Sequence, residues 1–220
     1  MLYHIWKNSD VRLIDKRYND EKTVFCLTFF NIFPVHADKV DLSKIENYLN
    51  NLKSLEAGFV QMSSNGGTAE GKIYISKPSK IRMEYTAPEP LLIVGNGDYI
   101  IYYDKELDQI TNIDYKDIPA TVILTKKIKF DNNNLKITDL YKDSGQTSIT
   151  VETPKTPGVK PITLIFDNEP FRLKQWKVID QQNIEVTISL FDVEQDVELS
   201  ENLFKFEKKS SNGGSKAKRK

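Results

Sequence analysis

The feature that most constrains this chain is a two-residue alternation of apolar and polar side chains, repeated over many short segments. Lys80-Ile-Arg-Met-Glu-Tyr85 puts Ile81, Met83 and Tyr85 on one side and Lys80, Arg82 and Glu84 on the other. Gly71–Ser76 does the same with Ile73 and Ile75 against Lys72 and Ser76. Leu91–Val94, Tyr99–Tyr103, Gln109–Ile113, Leu135–Leu140, Thr147–Glu152, Ile162–Phe166 and Phe171–Ile179 read as further short strands. A last one, Ile184–Leu190, lines Ile184, Val186, Ile188 and Leu190 along one face. Asn65-Gly66 and Asn96-Gly97 are hairpin turn signals. About ten short strands with turns between them predict an antiparallel barrel or sandwich.

Two segments carry a different period. Leu42, Ile45, Leu49, Leu52 and Leu55 recur at three- and four-residue steps, which predicts a helix with one apolar stripe and Gly58 just past its end. Ser43 and Glu46 have capping-box spacing, and Asp38 and Asp41 suit the positive helix start. Asp117-Ile-Pro-Ala-Thr-Val-Ile-Leu124 has Pro119 placed for a first helical turn, with Lys126 and Lys127 just beyond. It predicts a short helix between strands, with a strand as the alternative because Thr121-Val-Ile is β-prone. One long helix and one short helical insertion can cover only part of the concave face of such a sheet. An apolar cavity is the expected consequence.

The ends of the chain read differently from its middle. Lys16, Arg17 and Lys22 precede the apolar run Thr23–Phe33, and Pro34-Val-His-Ala37 follows. Basic flank, short apolar stretch and Val-x-Ala ending predict a secretory signal peptide with cleavage after Ala37, with a buried helix or strand as the alternative. Eleven residues cannot span the ~30 Å hydrocarbon layer as a helix. Residues 1–20 are long and acidic for the region before such a signal, so a downstream start and an unusual leader both fit. Cys26 sits inside the apolar run after Thr-Val-Phe, which rules against lipid attachment there. Ser210–Lys220 is small, polar and basic, a composition that predicts disorder. The expected organisation is an N-terminal extension and signal over 1–37, one domain over 38–207 and a basic tail over 208–220.

Charge and composition then exclude classes of function. The chain has 31 basic and 31 acidic residues. Removing the five basic and four acidic groups of 1–37 and the six basic groups of the tail leaves 20 basic against 27 acidic. An acidic domain does not suit nucleic acid, which needs a basic face to displace counterions. Cleavage after Ala37 would remove both histidines, His4 and His36, and the single cysteine, leaving 183 residues without either. The commonest general base, metal ligand and strong nucleophile would all be gone, and no disulfide could form. No carboxylate pair is distinguished by spacing. The expectation is a non-enzymatic domain with no catalytic residues, cofactor or metal.

The stretch Gly71-Lys-Ile-Tyr-Ile-Ser-Lys-Pro-Ser-Lys-Ile-Arg-Met-Glu-Tyr-Thr-Ala-Pro-Glu-Pro90 resembles the signature region of the LolA family of lipoprotein carriers. The resemblance continues through Leu91–Thr111, with Tyr103-Asp and Leu107-Asp-Gln-Ile, then Ile118–Leu124, Leu190-Phe-Asp and Leu203-Phe-Lys-Phe206. It covers roughly residues 38–207. It implies a mainly β fold with some α, a half-open antiparallel β-barrel with a helical lid, as in LolA and LolB. It implies a periplasmic chaperone that takes the acyl chains of lipoproteins released from the inner membrane and carries them to the outer membrane. The implied partners are acylated lipoproteins, an inner-membrane ABC transporter of the LolCDE type and an outer-membrane acceptor of the LolB type where one exists. The carrier itself would be a monomer. On this reading Ile73, Ile75, Ile81, Met83, Tyr85, Leu91 and Ile93 form the acyl-binding wall. Leu42, Ile45 and Leu49 on the first helix, with Ile118, Val122 and Ile123, form the lid.

The departures from the family pattern are informative. An Arg usually precedes the strand-ending Pro and holds the empty carrier closed; here it is Lys77, so the resemblance implies a latch built on a compact ammonium, not a planar fork. Met83 stands for the usual aromatic, and Gly95-Asn-Gly-Asp98 for the usual Asp-Gly turn. Without the resemblance, alternating apolar residues would read first as ordinary core and Lys77 as an exposed lysine beside a turn. A lipid sensor like RseB, a carrier that also inserts its cargo like LolB and an enzyme like VioE share the fold, so fold alone does not choose among them.

Overall fold

The computed structural model describes residues 40–86, 90–130, 134–180 and 182–208. The expected signal peptide and the tail beyond Lys208 lie outside these residues, as do Asp38 and the rest of the extension.

Eleven strands follow a single helix. They are β1 (Ser54–Ser63), β2 (Thr68–Ser76), β3 (Lys80–Tyr85), β4 (Leu91–Gly95), β5 (Tyr99–Asp104), β6 (Gln109–Asp114), β7 (Lys136–Lys142), β8 (Gln146–Glu152), β9 (Ile162–Asn168), β10 (Phe171–Ile179) and β11 (Glu185–Gln195). They make one antiparallel sheet in the order β6-β5-β4-β3-β2-β1-β11-β10-β9-β8-β7. Every neighbour in the sheet is also a neighbour in sequence except β1 and β11. The result is a meander closed on itself at that seam and left open between β6 and β7, a half-open barrel. Gly66 takes φ 93° in the β1–β2 turn, where its N–H donates to the Ser63 carbonyl at 2.9 Å. Gly71 serves another need: a Cβ there would lie 2.0 Å from the Glu84 carbonyl oxygen on β3. The bare backbone lets Phe59 and Tyr85 meet edge-on above it, ring centroids 4.9 Å apart.

Helix α1 spans Leu42–Asn51, and its ends correct two sequence expectations. The cap is Asp41, whose carboxylate accepts from the Ser43 N–H at 2.9 Å and the Ser43 hydroxyl at 2.7 Å. Ser43 and Glu46 therefore form no capping box. Glu46 instead accepts from the Phe130 N–H at 2.9 Å and pairs with Lys129 at 3.0 Å. At the other end Leu55 and Gly58, read as helix and helix stop, belong to β1. Leu55 is paired on both sides, with Ile75 of β2 and Gln195 of β11, and two ladders outweigh helical spacing.

Between β6 and β7 the chain makes a 3₁₀ turn at Tyr115–Asp117 and a 3₁₀ helix at Pro119–Leu124. The expected short helix is present in the tighter form. Its bonds run three residues back, from the Thr121 N–H to the Ile118 carbonyl and from the Thr125 N–H to the Val122 carbonyl. Six residues with three β-branched side chains in a row suit 3₁₀ better than α.

The core joins both helical pieces to the concave face. Ile45 and Leu49 of α1, Ile73 and Ile75 of β2, Val122–Leu124, Ile128 and Phe130 are all buried in one cluster with Leu164 and Phe166. Tyr48 packs edge-on against Phe166 and Phe171. A second, smaller apolar layer lies on the convex face. After β11 the chain crosses behind β3–β5, where Phe204 is buried and Leu92 and Val94 are too, but apart from the main cluster. Arg82 donates to the Leu203 carbonyl at 3.0 Å and Lys80 pairs with Glu201. Phe206 stacks edge-on with Tyr103, and Lys208 donates to Asp108 at 2.8 Å.

Candidate functional site

A cavity of about 190 Å³ lies between the concave face of the sheet and the 3₁₀ helix. Ile81, Met83 and Tyr85 of β3, Ile93 of β4, Ile100 and Tyr102 of β5 and Ile113 of β6 form one wall. Gln61 of β1, Trp176 and Val178 of β10 and Val186 and Ile188 of β11 form the other. Ile118, Ala120, Thr121 and Leu124 close it from the lid side. The lining is almost wholly apolar. Its polar atoms are few, and one is neutralised locally: the Tyr85 hydroxyl donates to Gln61 Oε1 at 2.8 Å. A space of this kind favours hydrocarbon over any charged or strongly hydrated ligand.

The residues expected to form the wall divide by height along the barrel. Ile81, Met83, Tyr85 and Ile93 line the cavity. The register sets Met83 beside Ile93, which puts both on the inner face at one level. Ile73 and Ile75 share that face but are fully buried, in the core with α1. Leu91 packs partly buried against the core and does not reach the cavity.

The expected lid residues divide as well. Ile118 faces the cavity. Val122 turns to a second, more polar pocket of about 230 Å³ that it shares with Lys116, Lys127 and Thr153. Ile123 is buried in the core. On α1, Ile45 and Leu49 are fully buried and Leu42 packs partly buried against the core; none of the three lines the cavity. Helix α1 is thus the fixed backing of the lid. It is tied to the chain just beyond the 3₁₀ helix by a two-way bond: the Asn50 amide donates to the Ile128 carbonyl at 2.9 Å and accepts from the Ile128 N–H at 2.6 Å.

Lys77 sits at the turn between β2 and β3, which grips both pieces. Its ammonium donates to the Leu49 carbonyl at 2.5 Å, near the C-terminal end of α1, where carbonyls lack helical partners. Two residues on, the Ser79 N–H donates to the Leu124 carbonyl at 3.0 Å, at the end of the 3₁₀ helix. Burial lowers the Lys77 pKa from its ordinary 10.5 to about 8. Burial likewise pushes the Tyr115 hydroxyl up to about 12, so it stays protonated beneath the cover.

Several lining residues went unmarked in the sequence reading: Gln61, Ile100, Tyr102, Ile113, Leu124, Trp176, Val178, Val186 and Ile188. For Val186 and Ile188 the signal was present, since their alternation marked one face of the last strand. Nothing local could pair that face with β3, which lies three strands away across the seam. Among the described residues no group of three or more His, Cys, Asp or Glu side chains could hold a metal ion. Among them too, no helix is long and apolar enough to cross a membrane.

Residues 50–207 match the family model for outer membrane lipoprotein carrier protein LolA. An outer-membrane lipoprotein carrier protein of Dechloromonas aromatica is 28% identical over 200 residues, covering 86% of this chain and 94% of its own. An uncharacterized protein of Rickettsia prowazekii is 28% identical over 184 residues, 84% of each chain. A crystal structure of a LolA superfamily protein from Nitrosomonas europaea superposes with a TM-score of 0.47 at 7% identity, covering 76% of this chain and 99% of that one.

Proposed function

Because the chain belongs to the LolA family of outer membrane lipoprotein carrier proteins, we propose that it is a periplasmic carrier holding lipoprotein acyl chains in this cavity. The observation that carries the reading is the apolar space between the concave face and the 3₁₀ helix. Its cargo would be a lipoprotein released by an inner-membrane transporter of the LolCDE type and handed to an outer-membrane acceptor. The work is binding and release alone, without catalysis.

The physical problem is the exposure of hydrocarbon. Each buried methylene contributes ~0.8 kcal/mol, so a chain of ~15 represents about 12 kcal/mol gross. A carrier must offset much of that and still let go. About 190 Å³ is below the ~300–1,000 Å³ usual for a small-molecule pocket, which supports reading the lid as filling part of the space that cargo would take. Ile118, Ala120 and Leu124 occupy volume that acyl chains would take. Loading is then a shift between two packings of one apolar space, and the lid competes with cargo. The grip of Lys77 on α1 and of Ser79 on Leu124 sets how hard that competition is, which is the latch role assigned to Lys77.

The test is native mass spectrometry with lipid extraction on protein purified from periplasm. Acylated lipoprotein or lipid should co-purify with the wild type and be lost in Ile81→Glu. Tyr102→Asp, at a site already 38% exposed, checks the same wall without a core defect. Protein that carries no lipid and takes up no triacylated lipoprotein from inner-membrane vesicles would refute the carrier reading.

A further inference from the structure

The cavity is not uniform along its length. Gln61 stands on the inner face of β1, two residues beyond the buried Phe59, and lines the space. The registers set Gln61 beside Ile188 of β11, and Ile188 beside Trp176 of β10, so the three make one row across the sheet. All three line the cavity. Tyr85, the last residue of β3, reaches the same level, where its hydroxyl donates to Gln61 Oε1 at 2.8 Å. That bond engages the carbonyl side of the Gln61 amide. The amide N–H groups have no acceptor among the described residues. The indole N–H of Trp176, a residue only 3% exposed, has none among them either.

One row of an otherwise apolar cavity therefore holds donors in excess of acceptors. Water can serve such groups in an open space. Hydrocarbon packed against them would shut water out and leave them unmatched, which is costly. A cargo that brings its own acceptor to this level avoids that loss. The acceptor must be uncharged, because no lysine or arginine among the described residues lines the cavity to offset a buried carboxylate or phosphate. Beyond this row the wall on β3 is apolar as far as Ile81. Ile81 lies four residues from Tyr85, about 13 Å at the ~3.3 Å rise of a strand, near the turn that holds Lys77. The space thus has a polar level and an apolar far end, as an acyl chain has a carbonyl and a methyl end.

We infer that Gln61 recognises the acyl carbonyl of the cargo: its amide N–H donates to the carbonyl oxygen of an uncharged glyceryl ester, and the chain runs from there past Met83 toward Ile81. The inference rests on the carrier reading and narrows it. The cargo becomes an esterified acyl chain held in one direction, where the apolar space alone would accept any hydrocarbon.

The experiment compares two uncharged probes of equal chain length, monolauroylglycerol and its ether counterpart dodecylglycerol, which lacks the carbonyl. Each is titrated calorimetrically into the full chain. The wild type should bind the ester about three- to tenfold more tightly than the ether, the range of one neutral hydrogen bond. Gln61→Leu should bring the two affinities together. The infrared C=O band of the bound ester should lie at lower wavenumber in the wild type than in Gln61→Leu, a difference that a merely structural role of Gln61 would not produce. Equal affinities in the wild type would overturn the inference without recourse to any variant. A ratio unchanged by Gln61→Leu, or a carbonyl band at one position in both proteins, would overturn it too, and the carrier reading would survive all three results. If neither probe binds, the carrier reading falls and the inference falls with it.

Discussion

Lys77 holds a charge in a place that disfavours it, and the sign of the consequence follows. With a folded pKa of about 8 against an ordinary 10.5, the unfolded chain binds more protons between those values. Stability should therefore rise with pH across that window, while below about 8 the full cost of the buried ammonium remains. Urea unfolding of the wild type and of Lys77→Met, on both sides of pH 8, checks this: the rise should vanish in the variant, and parallel curves would refute it. Gly71 is the second residue on which the local packing turns. Gly71→Ala should lower unfolding stability by about 1–3 kcal/mol or more in a thermal or urea melt, because the new methyl meets backbone that cannot swing aside. At this scale the sequence was half legible. Alternation separates the inner from the outer face, so Ile81, Met83 and Tyr85, which line the cavity, could be assigned together to one side of β3. It carries no information about height along the barrel, so it does not reveal that Ile73 and Ile75, on the same face, are fully buried and do not line the cavity. The partner of Lys77 is likewise tertiary: a lysine before a proline does not announce that it will meet the end of α1.

The elements that cover the cavity behave as one cover because side chains tie them. Asn50 satisfies both the N–H and the carbonyl of Ile128, a residue buried to 1% exposure. Asn50→Ala would leave two buried backbone groups without partners, a cost of about 2–4 kcal/mol. Hydrogen exchange at the Ile128 amide should accelerate accordingly, and an unchanged rate would show that another group holds the segment. The position of the short helix was legible because Pro119 and the apolar triplet mark it locally. The bounds of α1 were less so. Its apolar spacing runs on to Leu55, and only pairing of that residue in two ladders ends the helix early. The Ser43–Glu46 spacing misled for a similar reason, since Glu46 has a better use against Lys129 and the Phe130 N–H.

For the whole molecule, the number and kind of strands were legible and their cyclic order was not. Hairpins come from local turn chemistry, so ten of the ladder's members could be read one after another. The seam between β1 and β11 joins residues more than a hundred positions apart, as Phe59 with Leu190 shows, and no short-range pattern encodes it. The strap on the convex face escaped for the same reason: Leu203–Phe206 stood out only as a familiar string, without a place to lie.

A sheet that closes through β1 and β11 but stops at β6 and β7 is a hoop with a cut in it, and the 3₁₀ segment is the clasp across the cut. A complete hoop can widen only by tearing strand from strand. Here the two edges at the cut, β6 and β7, share no ladder, so releasing the clasp would break none. The distance between those two edges is left to the chain that joins them and to the side chains that hold it, and no ladder fixes it.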